Sequence, residues 1–99
     1  MKKSKSQLFQ TGITKDGIPV MGGVFKFYET QGVPLDTILF AAIDQKWIPD
    51  WIDFYKSATL AGMKHDRVIS KLEEGISDSF GSEIASIVIS KLNSLFKGK

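Results

Sequence analysis

Val33-Pro34-Leu35-Asp36-Thr37-Ile38-Leu39-Phe40-Ala41-Ala42-Ile43 decides the fold, because here the apolar spacing changes from two residues to about 3.6. Pro34 suits a first helical position, and Asp36 complements the positive end of a helix dipole. Leu35, Ile38, Leu39, Ala42, Ile43 and Trp47 then fall on one helical face, and Pro49 stops the run. Three more helices follow. Asp50 is an N-cap for a helix whose stripe is Trp51, Phe54, Tyr55, Ala58 and Ala61, ended by Gly62. A third is expected from about Lys64 to Phe80, with Val68, Ile69, Leu72, Ile76 and Phe80 inward and Gly75 as its weak point. Ser82 and Glu83 open a fourth, with Ile84, Ile87, Val88, Leu92, Leu95 and Phe96 as its inward face. Links this short make consecutive helices spatial neighbours.

Upstream the pattern reads as β structure. Asp16-Gly17 is a two-residue hairpin signal and Gly22-Gly23 a second candidate. Val24-Phe25-Lys26-Phe27-Tyr28-Glu29-Thr30 is aromatic and β-branched, which favours a strand. Pro19 argues against a central strand, so Ile18–Met21 is expected at an edge of a single hairpin or ribbon. The fold class is helix-dominated α+β, an N-terminal β-hairpin or ribbon followed by a compact four-helix bundle. Residues 1–7 read as a basic polar tail. Residues 8–99 read as one domain, with a β-hairpin arm over 8–31 and the bundle over 33–97.

Ninety-nine residues suit one domain, and 42% hydrophobic with 24% charged content places it among globular chains. A net charge of +2 is far below that of a strongly basic nucleic-acid coat. The chain has no cysteine, which excludes a disulfide framework, a thiolate metal site and a catalytic thiol. The basic N-terminus lacks the apolar stretch of a signal peptide, and no run approaches the roughly 18 apolar residues of a membrane span. A cytoplasmic protein without membrane attachment is expected.

Enzyme chemistry finds no constellation. His65 stands beside Asp66, but adjacent helical residues point about 100° apart, so a solvent-facing histidine is expected. Asp50/Asp53 reads as a helix start and Glu74/Asp78 as an exposed like-charged pair. Neither has histidine at metal-ligand spacing, so no metal, cofactor or small-molecule substrate is expected. The serines at 77, 79, 82, 86, 90 and 94 lack a base. From Ser82 on they recur every four residues, a small polar face that permits close helix approach.

Two signals point to binding. Phe40, Ile48, Ile52 and Ile89 fall off the inward stripes, and the expected strand carries aromatics on both faces. Excess apolar surface of this kind marks interaction sites. The expected partner-binding set is Val24, Phe25, Phe27, Tyr28, Phe40, Ile48 and Ile52, serving self-association or a protein partner. Trp47 and Trp51 are expected as core anchors. The alternative is a helix-turn-helix: Ala58-x-x-x-Gly62-Met63-x-x-x-x-Val68 has its core spacing, and Lys64, His65, Arg67 and Lys71 would face nucleic acid. Asp66, Glu73 and Glu74 on the same helix, and the low net charge, count against it.

The Gly32-Val33-Pro34-Leu35-Asp36 start, the Pro49-Asp50-Trp51-Ile52-Asp53-Phe54-Tyr55 segment and Ala61-Gly62-Met63-Lys64 resemble small accessory proteins of tailed bacteriophages and prophages. The resemblance covers about half the chain. It implies a virion or assembly component, or an adaptor or inhibitor of host machinery, located in the host cytoplasm or the virion. It carries no functional residues with it.

Overall fold

The computed structural model describes residues 8–97, so the basic segment 1–7 lies outside the described residues. Among the described residues the fold is helix-dominated α+β: a small sheet and five α-helices, the last continuing into a π-helical turn over Asn93–Lys97. Strands β1 (Phe9–Ile13) and β2 (Pro19–Gly22) are antiparallel, joined across Asp16-Gly17 with Gly17 at φ 84. Strand β3 (Ile48–Pro49) pairs parallel to β2, which makes β2 the central strand. This corrects the edge placement of Ile18–Met21. Pro19 is tolerated because it is the first residue of its strand, opposite Ile13, where a missing N–H costs least.

Residues 24–30 do not form the expected strand. Val24–Gln31 is helix α1, not a strand. Gly23 (φ 85) and Gly32 (φ 69) bracket it in left-handed conformation, and the Gly32 N–H donates to Tyr28 O as a C-terminal cap. Val24, Phe25, Phe27 and Tyr28 are spaced i, i+1, i+3, i+4, which a helix gathers on one side while Lys26, Glu29 and Thr30 face out. The four-helix expectation therefore becomes five, and the arm ends at Gly22.

Helices α2 (Leu35–Gln45), α3 (Trp51–Leu60), α4 (His65–Ser79) and α5 (Ser82–Leu92) follow in order. Helix α2 stops before Trp47 because Lys46 turns left-handed at φ 65. Helix α4 is the hub, packed between α2 and α5 and against α3, while α1 lies on α3. Gly75 is what lets α2 come close: a Cβ there would sit 3.2 Å from Leu35 Cδ2 and 3.4 Å from Leu39 Cδ1. The helix-weakening glycine thus has a packing reason. Phe54, Leu39, Leu72, Ile76 and Leu92 are fully buried at the centre.

The last helix keeps Val88, Leu92 and Phe96 of its expected face on the core and turns the other three residues out. Ala85, Val88 and Leu92 point inward, whereas Ile84, Ile87 and Leu95 are exposed. No helix among the described residues is long and apolar enough to cross a membrane.

Candidate functional site

Two carboxylates hold the sheet to the helices. Asp50 Oδ1 accepts from Asp53 N at 3.0 Å as the α3 N-cap, and Asp50 Oδ2 accepts from Thr11 Oγ1 at 2.8 Å. The Asp50 N–H also donates to Met21 O at 2.7 Å. Asp53 Oδ2 accepts from Gly23 N at 2.8 Å, placing negative charge at the start of α1. The pair is a structural joint between sheet, α1 and α3, with both Asp50 oxygens and Asp53 Oδ2 engaged by backbone and hydroxyl donors.

That joint positions a groove. Val20, Ile48, Pro49, Trp51 and Ile52 form one side, while Ile87, Val88 and Leu92 of α5 form the other, with Asp50 and Lys91 also lining it. Its volume is about 280 Å³. Ile48 and Ile52 are half-buried, and Ile87 is 60% exposed at the mouth. A mostly apolar channel with two opposite charges along it is suited to an apolar side chain or helix face, and it lacks the convergent polar groups that orient a small substrate.

The expected partner-binding residues divide. Ile48 and Ile52 meet in the groove. Phe40 is 51% exposed on α2 but does not line it. Phe27 and Tyr28 are half-buried against the core from α1. Val24 and Phe25 are core residues: Phe25 meets Phe54 edge-on with ring centroids 5.3 Å apart. They do not belong to a contact surface, because the helix turns them inward. Ile87, the groove's most exposed apolar member, lies outside although its stripe places it inward. The signal for this is that α5 carries more apolar residues than one face can hold.

The expected nucleic-acid residues divide too. Helices α3 and α4 are joined by residues 61–64, with Gly62 at φ 103 and Val68 fully buried. Lys64 and Arg67 are exposed. His65 is half-buried, not solvent-facing: Nδ1 lies 2.7 Å from Tyr55 Oη and Nε2 lies 2.9 Å from Asn93 Oδ1. The amide oxygen only accepts, so the Nε2–H donates to Asn93, and the tyrosine hydroxyl, which can donate or accept, partners Nδ1. Phe96 stacks on Tyr55 at 4.2 Å, so this clasp ties α3 and α4 to the π-helical turn. Lys71 Nζ sits 5.2 Å from the Tyr28 ring centroid, and Asp66 and Glu74 share its surface hollow with Arg67. The four basic residues therefore do not make one free basic face.

Among the described residues no group of three histidine or acidic side chains is placed to hold a metal ion. Glu74 and Asp78 line a hollow beside Lys71. No family model, curated protein or solved structure matches the chain.

Proposed function

We propose that this chain is a non-enzymatic protein–protein interaction or assembly module of the cytoplasm, an accessory, virion or host-takeover component of the tailed-phage type, with the β3–α3–α5 groove as its contact surface. The observation that carries the reading is the apolar groove of Ile48, Ile52 and Ile87, whose β3–α3 wall is tied to the sheet by Asp50. Desolvating such side chains against a partner contributes roughly 25 cal/mol per Å² before the costs of association. The flanking charges, Asp50 and Lys91, supply orientation. The helix-turn-helix alternative is less well supported, because His65 is tied into the clasp and Lys71 lies against Tyr28.

The test is affinity purification of the tagged chain from cells, with Ile87→Asp and Phe40→Asp beside it. Both positions are more than half exposed, so each substitution should change stability by only about 0.5 kcal/mol. A partner retained by the parent chain and by Phe40→Asp, but weakened at least about 30-fold by Ile87→Asp, is expected for a central contact residue. Identical retention by all three chains contradicts the proposal.

A further inference from the structure

We propose that the occupant of this surface is a second copy of the chain, docked with α5 antiparallel to α5 about a two-fold axis at Ile87. The inference rests on the reading of the groove as a contact surface and goes beyond it by naming the partner and its register.

At about 100° per residue, Glu83, Ile87 and Lys91 form one row along α5, each about 40° from the last, and all three are exposed. At a rise of about 1.5 Å per residue, Glu83 and Lys91 stand about 6 Å on either side of Ile87. They are the only charged residues of α5. Its exposed face is thus acid, isoleucine, base, in that order and evenly spaced.

Such a row is complementary to itself in one direction only. Around a two-fold axis at Ile87, position 87+n faces position 87−n of the other copy. Lys91 then faces Glu83 of the second copy, Glu83 faces its Lys91, and the two Ile87 side chains meet. A parallel arrangement would set glutamate on glutamate and lysine on lysine, which is repulsive. Closed two-fold pairs with the same patch on both sides are the commonest oligomers.

The neighbouring row is Ser82, Ser86, Ser90 and Ser94, all exposed. Short side chains beside the Ile87 ridge let two helices approach near the lower end of the roughly 8–10 Å range of packed helices. Ile84 is also exposed, so the contact covers more than one isoleucine per copy. Because Ile87, Val88 and Lys91 are also the α5 wall of the groove, the axis falls on the surface already described.

The chain has no cysteine, which allows a direct test. A residue on a two-fold axis meets its own copy, so Ile87→Cys with oxidised glutathione should form a disulfide dimer. Ser70→Cys, on the exposed side of α4, should not. In sedimentation velocity, Glu83→Lys and Lys91→Glu should each weaken the dimer about tenfold, because two attractive pairs become repulsive. Mixing the two single variants should restore association, since each copy then supplies the charge the other needs.

A chain that stays monomeric up to about 1 mM overturns the inference. So does an Ile87→Cys variant that cross-links no faster than the Ser70→Cys variant, or a mixture of charge variants that associates no better than its components. If the chain is monomeric but Ile87→Asp still loses a different cellular protein, the contact-surface reading stands and the self-pairing falls. If Ile87→Asp changes neither, both fall.

Discussion

Phe25→Ala is expected to lower stability by about 3–5 kcal/mol, read as the unfolding midpoint in urea with circular dichroism. The ring is 4% exposed, meets Phe54 edge-on, and lies 6.1 Å from the Tyr28 ring. Truncation removes its burial, its aromatic contacts and the filling of a site that α1 cannot close, since α1 is pinned at its start by Asp53. A domain of this size commands only about 5–15 kcal/mol in total, so the variant should be close to unfolding at physiological temperature. If Phe25 belonged to an exposed contact surface, the same substitution would change stability by only about 0.5 kcal/mol and would show instead in partner binding. The measurement therefore separates a core helix α1 from a strand presenting its aromatics to a partner.

Leu72→Ala should cost about 2–5 kcal/mol, and each kcal/mol should lower the thermal midpoint by about 4–8 °C. Leu72 is 0% exposed on α4, the helix that α2, α3 and α5 all touch. One turn on, the close approach of Leu35 and Leu39 to Gly75 fixes α2 against the same helix. The cavity left by Leu72 is walled by several elements, and collapsing it would require them to move together. A loss below about 1 kcal/mol would mean that α4 is not the hub described above.

The two residues also show what the amino-acid pattern can carry. Leu72 was legible because α4 is fifteen residues long, and its stripe recurs over successive turns with polar residues between. Helix α3 was legible from its cap, since Asp50 does accept from the Asp53 N–H. Phe25 was not, because α1 is eight residues long. A run that short, rich in aromatic and β-branched residues, satisfies strand propensity as readily as helical spacing. The deciding marks were Gly23 and Gly32, which suit a turn in either reading.

Strand β3 could not be read from Ile48-Pro49, because a two-residue parallel pairing with Val20 and Met21 comes from tertiary placement. The site was half legible for related reasons. Ile48 and Ile52 stood out as apolar residues off their helical stripes. Ile87 did not, because apolar residues occupy most of the way around α5, and a rotation of less than about 100° decides which of them is inside. The clasp at His65 depends on Asn93, twenty-eight positions away, which local spacing does not reveal.

The claim that the β3–α3–α5 groove is the working surface is tested most directly by a photo-reactive amino acid at position 52, with one at the exposed position 15 of the β1–β2 turn for comparison. In living cells, illumination should give a discrete adduct from position 52, of twice the chain's mass if the partner is a second copy, and none from position 15. An adduct of equal yield from both positions, or none from position 52, would contradict the account.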